Sequence, residues 1–99
     1  MFVPFFYNNY TVEERIKLFN CANIVIGVHG SANFHVYFCK PNTRVIELIC
    51  VKDCHSIQLP ALSFGLDYWQ IPVENHGQFE KTITLSKDCL ESLKKILNK

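Results

Sequence analysis

The chain lacks a basic surplus. Lys and Arg total 10 against 9 Asp and Glu, giving a formal net charge of +1 at pH 7. A domain that grips a phosphate backbone carries an excess of positive charge, so nucleic acid is not an expected partner. Long apolar runs are missing as well. No stretch approaches the roughly twenty residues of a membrane span, so no membrane association is expected. The opening Met1-Phe2-Val3-Pro4-Phe5-Phe6 is apolar, but it is too short for a signal core and has no basic flank or cleavage signature. The expectation is a soluble, cytoplasmic protein, unless the chain was cut from a longer precursor. The four glycines form no G-x-G-x-x-G, and no lysine completes a Walker A loop.

The five cysteines, Cys21, Cys39, Cys50, Cys54 and Cys89, are odd in number and scattered through apolar stretches. A disulfide framework would show an even, patterned set, so free thiols in a reducing compartment are the simpler reading. Cys50, Cys54 and His55 lie close together, but the spacing is not C-x2-C and no fourth ligand is evident, which argues against zinc. What the chain does have is globular composition: 48% hydrophobic and 19% charged residues over 99 positions, enough for one domain with one core.

Strand and helix patterns alternate along 1–99, with no linker, repeat or low-complexity segment. Thr11 followed by Glu14 is a capping-box signature, and it predicts a helix to about Ala22 with Val12, Ile16 and Phe19 as its apolar stripe. Ile24-Val25-Ile26-Gly27-Val28 reads as a strand buried on both faces. His29-Gly30-Ser31 is a turn, and a short helix over about Ala32 to Phe38 follows until Lys40-Pro41-Asn42 stops it. Val45 to Ile49 is a second buried strand. A weak helix over about Ser56 to Gly65 contains Pro60, and Tyr68 to Val73 is a third strand. Thr82 to Leu85 is extended, and Ser86 caps a final helix with Leu90, Leu93, Ile96 and Leu97 on its apolar face. Such alternation predicts an α/β, Rossmann-like three-layer domain, with a mainly parallel sheet of about four strands flanked by helices.

In open parallel sheets ligands bind beyond the strands' C-terminal ends. The turn after the first strand therefore draws the functional reading. Backbone N–H groups at a helix start attract phosphate or carboxylate, Gly30 permits close approach, Ser31 adds a hydroxyl and His29 a donor. Glu47 on the next strand could accept from ribose hydroxyls. Each residue also has a plainer reading. The glycine can be only a tight turn, and His35 a packed histidine among aromatics. Phe34, Tyr37 and Phe38 can be core rather than a cofactor box, Glu47 can cap a neighbouring helix, and Tyr68 and Trp69, which could stack a base or sugar, more often pack the core as strand aromatics do. No spaced carboxylate pair or activated cysteine marks a catalytic set.

The residues also resemble a known family. Glu14-Arg15-Ile16-Lys17-Leu18-Phe19, Ala22, Ile24-Val25-Ile26-Gly27-Val28-His29-Gly30-Ser31-Ala32, Phe38, Pro41 and Val45-Ile46-Glu47-Leu48 are similar, without gaps, to the signature of glycosyltransferase family 61. Asp67-Tyr68-Trp69 and the closing helix are similar to its C-terminus. Ser31 and Ala32 stand where the family usually has Ala and Gly, Asn33 where it has Leu, His35 where it has Asn, and Arg15 where Gln is common. The resemblance implies the C-terminal, donor-binding half of a GT-B-type fold, transferring sugar from a nucleotide sugar, commonly a UDP-sugar, without an essential metal. It implies that His29, Gly30, Ser31 and Ala32, with His35 in the signature's Asn position, meet the donor's diphosphate region, and that Glu47 lies near the nucleotide. It identifies no catalytic base in this chain. The acceptor half would have to come from a second copy or another chain. The rival readings are a non-catalytic remnant or assembly module with an exposed apolar patch, and a small phosphate-ester enzyme using the same turn.

Overall fold

The structure, a computed structural model, describes residues 5, 7–28, 31–50, 57–73 and 86–99. Its elements are α1 (Val12–Cys21), β1 (Ile24–Val28), a 3₁₀ helix (Ser31–Phe38), β2 (Arg44–Cys50), α2 (Gln58–Ser63), β3 (Asp67–Val73) and α3 (Lys87–Leu97), after a 3₁₀ turn at Tyr7–Asn9. The three strands form one parallel sheet in the order β1-β2-β3. The sequence pattern suggested about four strands; three are present among the described residues, and the extended segment 82–85 lies outside them.

Parallel neighbours cannot be joined by hairpins, so each connection must cross a face of the sheet. Strand alternation then sorts the side chains into two cores. On one face, Val45 of β2 packs with Phe19 of α1, Val36 of the 3₁₀ helix, and Ile57, Ala61 and Leu66 around α2. On the other face, Ile46 and Leu48 of β2 and Ile71 and Val73 of β3 pack with Ile96 of α3, with Trp69, Leu93 and Leu97 against them. The arrangement is three layers, helices on either side of a sheet.

Among the described residues only β2 has a strand on each side, and residues 45–49 are all buried. In β1, by contrast, residues 24–27 are half-buried. The β-branched run predicted burial on both faces, but one side of β1 has no paired strand among the described residues. The predicted stripe of α1 also narrows. Phe19 is buried, whereas Val12 is 63% exposed and Ile16 38%. One aromatic ring, stacked edge-on by Phe5 at 4.9 Å, fixes the helix to the sheet. The segment after the turn is a 3₁₀ helix rather than an α-helix. Its aromatic and β-branched residues are weak α-helix formers. Within it Val36 is buried, while Tyr37 and Phe38 stay exposed, against the expectation of core for both; the side chain of Phe34, expected there too, lies outside those described.

The capping signatures are present as read. Thr11 Oγ1 accepts from Glu14 N–H at 3.2 Å, and Glu14 Oε1 accepts from Thr11 N–H at 2.9 Å. Ser86 Oγ accepts from Cys89 N–H at 3.2 Å to open α3. At the strands' N-terminal rim, Asn42 and Gly65 both take φ of +72°, and Asn42 N–H donates to Gly65 O at 2.9 Å. Gly65 is needed for that dihedral rather than for space, since a Cβ there would meet its nearest neighbour, Pro41 Cβ, at an ordinary 3.9 Å.

Arg44 fastens α3 to the sheet. Its Nε donates to Asp67 Oδ2 at 2.9 Å, and its terminal nitrogens donate to the carbonyls of Ile96 at 2.8 Å and Lys99 at 3.4 Å. The last carbonyls of a helix have no partner within it, and a guanidinium satisfies them well. Trp69 Nε1 donates to the other Asp67 oxygen at 2.9 Å, and the Lys99 ammonium lies 5.1 Å from the Trp69 ring centroid.

Arg44→Ala is expected to lower the unfolding free energy by about 1–3 kcal/mol, the range for removing a charged hydrogen-bond donor. Arg44→Lys should restore only part of it, because an ammonium cannot span the three acceptors. Urea denaturation measures both. A second expectation concerns acid. Backbone and side-chain hydrogen bonds from Thr11 hold the Glu14 carboxyl below its usual value. Its contribution is therefore present above the unfolded glutamate pKa and is lost as pH falls through the lower folded value. Glu14→Gln should flatten that acid limb in a stability–pH profile, since a glutamine keeps a capping acceptor but does not titrate.

Candidate functional site

The strands of a parallel sheet all point one way, so their C-terminal ends share one rim. β1 ends there at Val28, β2 at Cys50 and β3 at Val73. His29 and Gly30, the centre of the sequence reading, lie outside the described residues. β1 ends at Val28, and Ser31 and Ala32 open the 3₁₀ helix, on either side of those two residues.

His35 is half-buried among aromatic rings. Its imidazole stacks on Phe19 at 5.4 Å between centroids and 25° between planes, with Phe5 at 5.5 Å and Phe38 at 6.3 Å. The plainer reading of a packed histidine therefore describes its surroundings, which join the 3₁₀ helix to α1.

Glu47 occupies the middle of β2 and is 0% exposed. Its register partners are Gly27 on β1 and Gln70 on β3, and alternation sets its side chain on the face that carries α1 and α2. A carboxylate in that position must find donors or shed its charge. It accepts a hydrogen bond from the Tyr68 hydroxyl. It also accepts from Ile57 N–H, with both oxygens at 3.4 Å. Ile57 is the N-cap position of α2, so the plainer reading of Glu47 as a cap to a neighbouring helix holds in the geometry. Gln70 Nε2 in turn donates to the Tyr68 oxygen at 3.1 Å, linking an exposed amide to the buried carboxylate through one phenol.

The sequence reading missed Tyr68 and Ile57 as partners of Glu47. A lone carboxylate in an apolar strand announces that donors must exist, but not that they lie 21 and 10 residues away. Tyr68 also packs against the core, the plainer of the two roles expected of it.

Nucleophiles and metal ligands are sparse. Burial pushes the Cys39 thiol up to about 11, so it is protonated at neutral pH and a poor nucleophile. Cys21 is exposed on α1. Among the described residues no group of three or more His, Cys, Asp or Glu side chains could hold a metal ion. Cys54 and His55 lie outside those residues. A shallow groove of about 300 Å³ runs between β3 and α3, lined by Gln70, Pro72, Ser92 and Lys95 among others. Its lining includes none of the candidate site residues read from the sequence. No described helix is long and apolar enough to cross a membrane.

Comparison with known proteins bears on the segment from β1 to the 3₁₀ helix directly. The family model described as Glycosyltransferase 61 matches residues 1–46, which include α1, β1, residues 29–30 and the 3₁₀ helix. A β-1,2-xylosyltransferase of Arabidopsis thaliana is 27% identical over 78 residues, covering 78% of this chain. The chain spans only 14% of that relative's length. No solved structure matches significantly. The family match falls on α1, β1 and the 3₁₀ helix and the xylosyltransferase likeness extends over most of the rest, so the chain is similar to glycosyltransferase family 61.

Proposed function

We propose that the chain is a glycosyltransferase domain that binds a nucleotide sugar, with a UDP-sugar as donor, at the C-terminal rim of its parallel sheet. The observation that carries this reading is the family match over residues 1–46, because it contains β1 and the turn leading into the 3₁₀ helix. The fold supports it: three parallel strands deliver their C-terminal ends to one rim, the place where open α/β sheets take nucleotides. His29 and Gly30, with the N–H groups that follow at Ser31 and Ala32, would face the diphosphate. Backbone N–H groups and the glycine supply what a diphosphate needs without a metal. The relative's name makes a xylosyl donor the first to try.

Transfer needs an acceptor wall and a base, which this reading assigns to another chain or a second copy. A second reading, an assembly module without turnover, draws on the outer surface of α2 and the 3₁₀ helix. There Leu59 is 78% exposed, Leu62 54%, Phe64 50% and Tyr37 41%, with the Tyr37 and Phe64 rings 5.1 Å apart. Positions 57–66 carry no charged residue. Bare apolar surface of this kind favours association.

Calorimetric titration with UDP, UDP-xylose and UDP-N-acetylglucosamine tests the first reading. Saturable binding is expected, and His29→Ala should weaken it by about tenfold, the value of one charge-assisted contact to a diphosphate. No heat with any of the three, in wild type and variant alike, would reject it. Sedimentation velocity tests the second reading: concentration-dependent association is expected, and it should be abolished by Leu59→Lys with Leu62→Glu.

A further inference from the structure

We propose, resting on the assembly reading above, that its partner is a second copy of this chain. The two copies meet in a two-fold pairing, α2 against α2, away from the strands' C-terminal rim. The other two α-helices present charge to water: Glu13, Glu14 and Lys17 on α1, and Lys87, Glu91 and Lys95 on α3, are all exposed. α2 does not. Ala61 faces inward and is completely buried, while Leu59 and Leu62, one turn apart, face outward and are exposed. Ser63, beside them, turns its hydroxyl back to donate to Leu59 O at 2.8 Å. Phe64 ends the helix, and its ring meets Tyr37 edge-on at 5.1 Å, which joins the 3₁₀ helix to the same surface. A helix that is apolar on its inner and its outer face is one that is covered on both.

Charge and area together select a second copy as the occupant. Positions 31–38 and 57–66 carry no Asp, Glu, Lys or Arg. A two-fold contact brings a patch against the same patch of its mate, so a charged face would repel itself. This face has nothing to repel, and nothing to draw a charged partner. At their exposures Tyr37, Leu59, Leu62 and Phe64 leave on the order of 400 Å² open, about half of one partner's share of a standard interface. Doubled across a two-fold axis, that area fits a weak, reversible dimer rather than a permanent assembly. The place of the patch follows from topology. Phe64 adjoins Gly65, whose carbonyl accepts from Asn42 N–H at the strands' N-terminal rim. A copy seated there leaves the C-terminal rim uncovered, so the acceptor wall falls to another chain.

The experiment uses the full chain. In a dilution series followed by amide and methyl chemical shifts, wild type should show concentration-dependent shifts at Tyr37, Leu59, Leu62 and Phe64 and none on α3. Sedimentation velocity is then run on two double variants, Leu59→Glu with Leu62→Glu, and Leu59→Lys with Leu62→Lys. Each alone should be monomeric at concentrations where wild type dimerises. An equimolar mixture should dimerise again, because an acidic α2 then faces a basic one. Such rescue requires α2 to meet α2, and neither a head-to-tail contact nor a different partner produces it. Wild-type association with shifts elsewhere, variants that associate as wild type does, or a mixture that stays monomeric would overturn the proposal, and the assembly reading would survive on another surface or geometry. If a variant does not fold, the wild-type shifts decide alone. Wild type that stays monomeric at millimolar concentration would reject both.

Discussion

The structure turns on one requirement: β2 must bury a carboxylate. It is the central strand of the described sheet, with neighbours on both edges and helices on both faces, so nothing on it can reach water between Val45 and Ile49. Four of those five positions are aliphatic and cost nothing to bury. Glu47 would cost several kcal/mol if left unpaired. The fold meets that cost by bringing the Tyr68 hydroxyl and the first N–H of the α2 region to it. The placement of α2 and the register of β3 against β2 follow from the same demand, since a shift of one residue would carry Tyr68 to the other face.

A second polar group plays the matching part at the opposite rim. Arg44 begins β2 and reaches Asp67 at the start of β3 and the final carbonyls of α3. It is half-buried and its ion pair is partly open to solvent, with side-chain exposures of 21% and 41%. The value of the arrangement lies in direction rather than charge. The guanidinium fork specifies where the helix ends, and the apolar contacts of Ile96, Leu93 and Leu97 hold it there. β2 therefore carries a carboxylate that organises one helical layer and a guanidinium that organises the other.

Local signals in the sequence were faithful. Thr11 with Glu14, and Ser86 before an amphipathic run, named two helix starts because capping depends on atoms three residues apart. The aliphatic run Val45 to Ile49 named the central strand because burial on both faces leaves no room for alternation. Signals that depend on the third dimension were not. Ile16 and Val12 have the spacing of a buried stripe, yet whether a stripe is covered depends on what lies opposite, and here a single ring suffices. Tyr37 and Val36 are adjacent, and only the pitch of the 3₁₀ helix decides which turns inward. Glu47 could be read as a ligand or as a cap from its neighbours in sequence. Its donors, ten and twenty-one residues distant, point to the cap.

The alternation of β2 also shapes how this chain can change over generations. Positions 45 and 47 look into the core that holds α1 and α2, and positions 46 and 48 into the one that holds α3. The two cores share the backbone of the sheet and few side chains. Substitutions on opposite faces should therefore combine close to additively, as independent sites do. Each layer is free to drift on its own, and the lineage can rework the α3 side extensively without disturbing the face that leads to the turn.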